Sequence, residues 1–181
     1  MCVESPVRDQ LLAAIPSLRA FAISLCGNPD RADDLVQDTL MKAWSNMDRF
    51  QPGTNLNAWL FTILRNSFFS EHRKRVREVE DADGSYAATL TSAPDQLSHL
   101  DFDDLRHALL KLPPEQREAL LLVGAQGFSY EDAAVICGCA IGTIKSRVNR
   151  ARSRLAELLC LDTDDDLASD GIVMAALQLA A

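Results

Sequence analysis

The chain has 181 residues, 26 acidic against 18 basic side chains, and a formal net charge of -8. That length holds one medium domain or two small ones, and no apolar run reads as a bilayer span, nor does MCVESPVRDQ have the basic-then-apolar pattern of a secretory signal. The five cysteines (Cys2, Cys26, Cys137, Cys139 and Cys160) are odd in number and irregularly spaced, which argues against a disulfide framework and for a reducing cytoplasm; with no apolar span, no membrane partner is expected.

Helical periodicity runs through the sequence, and strand-like alternation is absent. QLLAAIPSLRAFAISLC reads as one helix with Pro16 as a blemish. CGNP breaks it, and Asp30 is placed to cap the next helix, DRADDLVQDTLMKAWSNM. There the stripe Ala32, Val36, Leu40, Ala43 and Trp44 is expected to be buried, while Asp34, Gln37, Asp38 and Met41 gather on another face. DRFQPGTN interrupts the helices through Pro52 and Gly53. LNAWLFTILRNSFFSEHRKRVR follows as a long helix. Leu56, Leu60, Ile63 and Ser67 point one way with Leu64 alongside. Thr62, Arg65, Phe69 and Arg73 lie on the far side, with Asn66 at the margin.

EVEDADGSYAATLTSAPDQLS has no sustained apolar face and is too long for an ordinary internal loop, so it reads as a linker. A second helical block follows, from about Leu100 to Leu159. The expected architecture is all-α: two small helical domains, residues 1–77 and 99–160, joined by a flexible acidic linker, 78–98, with an acidic tail at 161–181.

LPPEQREALLLVGAQGFSYEDAAVICGCAIGTIKSRVNRARSRLAELL divides into three helices. The tandem prolines suit the first start, and Gly127 ends that helix. Ser129 caps the second with Asp132 three residues on, and Gly138 breaks it from the third. A short helix, a glycine turn and a longer helix form a helix-turn-helix. In the third helix Ile141, Ile144, Val148, Ala151, Leu155 and Leu158 make the buried stripe. Opposite lie Gly142, Ser146, Asn149, Arg150 and Ser153, flanked by Lys145 and Arg152 on one side and by Arg147 and Arg154 on the other. Short polar groups for base edges between cations for phosphates suit a major groove, so Lys145, Ser146, Arg147, Asn149 and Arg150 are candidate DNA contacts.

The first block suggests two more surfaces. Asp34, Gln37, Asp38 and Met41 suit docking on a protein, since no proton-transfer partner stands beside the carboxylates. Phe69 between Arg65 and Arg73 can stack an unpaired base while the cations hold its phosphates, and Asn55 in the preceding loop lies near the same end. No phosphate loop, nucleophile–base pair or metal-ligand spacing occurs, so neither an enzyme nor a cofactor or metal site is expected. Cys137 and Cys139 read as small buried hydrophobes.

DRADDLVQDTLMKAW with LNAWLFTILRN resembles region 2 of sigma factors, and LPPEQREALLLVGAQGFSYEDAAVICGCAIGTIKSRVNRAR resembles region 4. The order and spacing are similar to the minimal, extracytoplasmic-function class. RNSFFSEHRKRVREVEDADG and GFSYEDAAVICGCAIGTIKSRVNRAR resemble its general-stress, EcfG-like subgroup of alphaproteobacteria. The resemblance implies a factor that binds core RNA polymerase, recognises promoter DNA and helps melt it. It implies that Asp34, Gln37, Asp38 and Met41 meet the clamp helices of the largest subunit. Lys145, Ser146, Asn149 and Arg150 are implied to read the -35 element, of GGAAC type. Asn55, Arg65, Asn66, Phe69 and Arg73 are implied to hold the non-template strand at -10. A small NepR-like anti-sigma factor, itself controlled by a PhyR-like response regulator, is the implied inhibitor. Two other readings compete. A dimeric helix-turn-helix regulator leaves the first block unexplained, and a sigma mimic that titrates an anti-sigma has no need of an intact basic recognition helix.

Overall fold

A computed structural model describes residues 5–51, 53–81 and 97–159. Every element among them is helical: α1 (Ser5–Cys26), α2 (Pro29–Ser45), a short 3-10 turn (Met47–Arg49), α3 (Leu56–Asp81), α4 (Leu97–Leu110), α5 (Pro114–Leu120) running into a π turn (Leu121–Ala125), α6 (Tyr130–Cys137) and α7 (Ile141–Leu159). Helix α3 continues past the expected boundary at Arg77, and α4 starts before Leu100. The rest of the expected linker and the acidic tail lie outside the described residues.

Local chemistry explains most helix ends. Gly27 at φ 70 stops α1 in a conformation that side chains other than glycine seldom adopt. The cap of α2 is Asn28 and not Asp30: the Asn28 side chain accepts from the Arg31 amide at 2.9 Å. Pro29 occupies the first turn, where its missing N–H has no helical partner to lose. Asp30 then sits in that first turn, complementing the positive end of the helix.

Helix α1 is long and apolar enough to cross a bilayer by length and composition alone, contrary to the expectation from sequence. Its apolar stripe is instead buried in protein. Leu11, Ala14, Leu18, Phe21, Ala22 and Leu25 pack into a core with Ala32, Leu35, Val36 and Ala43 of α2 and with Leu56, Leu60, Phe61, Leu64 and Phe68 of α3. The Arg19 guanidinium on α1 donates to Asp33 on α2 at 2.6 Å, and this hydrogen bond holds the Asp33 carboxyl below the usual carboxylate range. Trp44, expected inside, is 53% exposed; the buried stripe of α2 is rotated toward Leu35 and Thr39, whose hydroxyl donates to the Leu35 carbonyl at 2.7 Å. Placing Trp44 outside removes a large ring from a side already filled by α1 and α3.

The second block follows the expected punctuation. Ser129 Oγ accepts from the Asp132 amide at 3.0 Å and caps α6. Gly138 closes α6 with φ 63, while the Cys139 amide reaches back to the Ala134 carbonyl at 3.0 Å. On α7 the side chains of Ile144, Val148, Ala151, Leu155 and Ala156 are buried. Ile141, placed in this stripe from its spacing, is 40% exposed because the first turn extends beyond the helices that cover the rest.

The two blocks share one contiguous core. Helix α3 packs on α6, and α1 packs on α4 and α5. Phe61 of α3 meets Phe128 of the second block edge to face, with ring centroids 5.0 Å apart. Arg106 on α4 donates to the Gly27 carbonyl at 3.0 Å. A β-carbon on Gly27 would stand 3.0 Å from Leu110 on α4, whereas one on Gly127, at nearly the same φ, would meet nothing within 4 Å. Gly127→Ala therefore carries only backbone strain, about 1–2 kcal/mol. Gly27→Ala adds an overpacking cost of about 1–3 kcal/mol. We expect urea unfolding to show a larger loss for Gly27→Ala than for Gly127→Ala; equal losses would place Leu110 away from Gly27.

Candidate nucleic-acid interface

The outer face of α7 is built by its own inner stripe. With Ile144, Val148, Ala151 and Leu155 held down, Gly142, Lys145, Ser146, Asn149, Arg150 and Ser153 are turned to solvent and are exposed. Lys145 Nζ stands 5.9 Å from the Tyr130 ring centroid, which biases its ammonium toward α6. Arg154 is drawn to Glu157 at 2.8 Å, and Arg152 is half-buried.

Arg147 does not join this face. It follows Ile144 by three residues and precedes Ala151 by four, so it shares their side of the helix. Its Nη1 is buried and has no hydrogen-bond partner. Its charge acts on Glu118 of α5.

In the first block, Asn55 is exposed and its side chain accepts from the Ala58 amide at 3.2 Å, capping α3. Asn66 and Arg73 are exposed. Phe69 is half-buried, not free: Phe68 lies against it at 5.2 Å between centroids, and the Arg65 guanidinium carbon lies 4.8 Å from its ring centroid. One part of the ring remains open, which is the geometry of a stacking platform backed by a cation. Phe50 packs on Trp59 at 5.3 Å, so the loop before α3 is anchored to the helix it introduces.

Arg65 departs from the sequence expectation most. Its side chain is 19% exposed, and its Nε donates to Glu118 Oε1 at 2.5 Å, linking α3 to α5 across the two blocks. Glu118 is fully buried, and its Oε2 has no hydrogen-bond partner. Burial pushes its carboxyl pKa up, against the opposing pull of Arg65, the Cys137 thiol and Arg147. Neighbouring Arg117 is buried as well, and desolvation lowers its pKa. Nothing singled out Glu118 in the sequence. The signal was present: it precedes Leu121 and Leu122 by three and four residues and so belongs to the inward stripe of α5.

A separate surface runs along α2. Asp34, Gln37 and Asp38 are exposed, Met41 is 68% exposed, and Trp44 continues the same line. Lys42 ties this edge to α3, donating to Asp38 at 3.3 Å and to Ser67 at 2.9 Å. An exposed tryptophan and methionine flanked by acids form an amphipathic docking strip. The sequence phase that hid Trp44 also hid the strip's largest member.

The Sigma-70 region 2 family model matches residues 12–78, and the Sigma-70, region 4 model matches residues 102–155. A curated relative, the ECF RNA polymerase sigma factor EcfG of Rhodopseudomonas palustris, is 67% identical over 177 residues, covering 98% of each chain. The sigma factor RpoE of Bartonella quintana, solved in complex with the anti-sigma factor NepR, superposes with a TM-score of 0.79 and 60% identity over 87% of this chain and 98% of that one. The PhyRSL-NepR complex from Sphingomonas sp. Fr1 shares the fold, at 22% identity, a TM-score of 0.62 and coverage of 87% and 92%. The chain belongs to the sigma-70 family of RNA polymerase sigma factors, in its extracytoplasmic-function class. It is a binding protein of transcription initiation and not an enzyme.

The buried charge cluster has a chemical consequence that can be read directly. Burial and the Glu118 charge push the Cys137 thiol up to about 12. At pH 8 only about one molecule in ten thousand then carries the reactive thiolate. Iodoacetamide labelling of the native protein, followed by mass spectrometry, should modify half-buried Cys139 well before Cys137. Equal rates in the folded protein would contradict the burial of Cys137 beside a carboxylate.

Proposed function

We propose that this sigma factor directs transcription of general stress-response genes from the cytoplasm, and that a small NepR-like anti-sigma factor holds it inactive. The pairing of two exposed surfaces in one chain carries the reading: a basic, short-polar face on α7 and an acidic strip with open apolar side chains on α2. A dimeric DNA-binding regulator has no use for the second. Lys145, Ser146, Asn149 and Arg150 contact the -35 element, with Arg150 and Asn149 oriented for base edges and Lys145 for phosphate. Asn55, Asn66, Phe69 and Arg73, joined by Arg65 when it is released from Glu118, hold the displaced -10 strand. Asp34, Gln37, Asp38, Met41 and Trp44 dock on the clamp helices of the largest polymerase subunit. Arg147 supports α7 from beneath and takes no part in base reading.

The 60% identity to a sigma factor crystallised with NepR supports the choice of inhibitor. A PhyR-like regulator releases the sigma factor by presenting a similar fold to the same inhibitor.

In vitro transcription with core polymerase on a GGAAC-bearing promoter tests the whole reading. Lys145→Ala combined with Arg150→Ala should lower initiation at limiting protein by at least tenfold, since each good base contact contributes about 1–3 kcal/mol. Unchanged initiation would reject the α7 assignment. Phe69→Ala should bind core polymerase normally and melt the promoter poorly, because base–aromatic stacking contributes about 1–3 kcal/mol per base. Permanganate reactivity of -10 thymines is the readout, and wild-type reactivity would remove Phe69 from the strand path.

A further inference from the structure

We propose that Arg147 is a positioning residue for -35 recognition: from beneath α7 it pairs with Glu118 of α5 and so fixes the rotation at which the recognition helix offers its outer face, a role that rests on the assignment of that face to the -35 element above.

The phase of α7 sets the geometry. Arg147 shares the inner side with Ile144 and Ala151, while Ser146 beside it and Arg150 a turn further on are exposed. Helix α7 packs on α5, where Glu118 is fully buried. Glu118 Oε1 is taken by Arg65 at 2.5 Å, which leaves Oε2 as a buried acceptor without a hydrogen bond. Arg147 Nη1 is a buried donor in the same condition. The Cys137 thiol of α6 also donates to Glu118. One carboxylate therefore engages the three helices of this block: α5 carries it, α6 bonds it and α7 brings it a cation. Among the described residues, Arg147 is the one cation of the second block whose charge acts on Glu118.

Apolar contact alone does not fix such an angle. Burial of Ile144, Val148 and Leu155 is non-directional and tolerates a small roll of the helix. A buried charge pair tolerates it less, because its energy depends on separation in a medium that screens poorly. Either charge left alone below the surface is strongly unfavourable. The roll matters on the DNA side. Atoms about 6 Å from the helix axis move by about 1 Å for a roll of about 10°, which is the tolerance of a binding constellation. Asn149 and Arg150 would then miss the base edges they are placed to read. Lys145, whose phosphate contact is less directional, would still hold the backbone. Loss of the pair therefore lowers sequence discrimination more than affinity.

Initiation by the holoenzyme from two promoters that differ in one -35 base pair, the GGAAC form and an altered form, reads discrimination as a ratio. We expect a wild-type preference of about tenfold or more, and Arg147→Met, which keeps the aliphatic stem and removes the charge, should reduce it by about fivefold. Glu118→Gln should do the same, and the double variant should discriminate as well as either single one. The salt dependence of Arg147→Met should keep the wild-type slope, since no phosphate contact is lost. A variant that merely lowers the amount of active protein weakens both promoters alike and leaves the ratio unchanged. An unchanged ratio for Arg147→Met therefore overturns the positioning role, whatever happens to total initiation. So does a shallower salt slope, which would make Arg147 a phosphate contact. Should Arg147→Met lose helicity, Glu118→Gln decides in its place, since α7 is then untouched. Arg150→Ala separates this role from the reading beneath it. If Arg150→Ala lowers the ratio and Arg147→Met does not, only the positioning role falls; if neither lowers it, the -35 assignment of α7 falls as well.

Discussion

A carboxylate sealed from water needs a positive charge close by, and Glu118 takes its charge from another domain. Much of the arrangement depends on that need. To bring Arg65 to Glu118, α3 must lie along α6, and this places Phe61 against Phe128 and the α1–α2 turn against α4. The phase of α7 itself turns Arg147 inward beside Ile144 and Ala151, leaving Lys145, Ser146, Asn149 and Arg150 as the outward set. Arg65 is thus committed to the contact between the two blocks, whereas Lys145 and Arg150 are left facing solvent.

The closed arrangement also limits what the free protein can touch. A compact globule of this length is about 40 Å across. Promoter elements centred near -35 and -10 are separated by about 80 Å along B-form DNA, at about 3.4 Å per base pair. A closed chain cannot reach both. Its net charge of -8 further opposes non-specific phosphate binding, which is electrostatic. Basic α7 therefore stands against an acidic background. The α2 strip, with Met41 and Trp44, is exposed in the closed arrangement.

Features set by local rules were legible in the sequence. Ser129 with Asp132, Gly138 and the α7 stripe depend on capping geometry, a left-handed turn and the 3.6-residue period, all readable within a few residues. Asn28 was missed in favour of Asp30 because both are good caps and the choice rests on Pro29 occupying the first turn. Trp44 was turned inward because a large aromatic fits the apolar pattern, while the actual phase of α2 is set by α1 and α3 packing on Leu35 and Thr39. Arg65 and Arg147 were read as solvent-facing cations. The helical period of α7 already turns Arg147 toward Ile144 and Ala151, whereas Arg65 turns to a carboxylate 53 residues away, and no periodicity within one helix carries that information. The two regions were legible separately; their contact was not.

The most direct measurement is the distance between the two regions in two states. Spin or fluorescent labels at exposed Gln10 on α1 and Glu157 on α7 leave the Arg65–Glu118 pair, the α2 strip and the outer face of α7 untouched. In the free chain the account predicts one short, narrow distance distribution. In the promoter complex with core polymerase it predicts a shift to distances tens of ångströms longer. The same distance in both states would contradict the claim that the sigma factor must open to work.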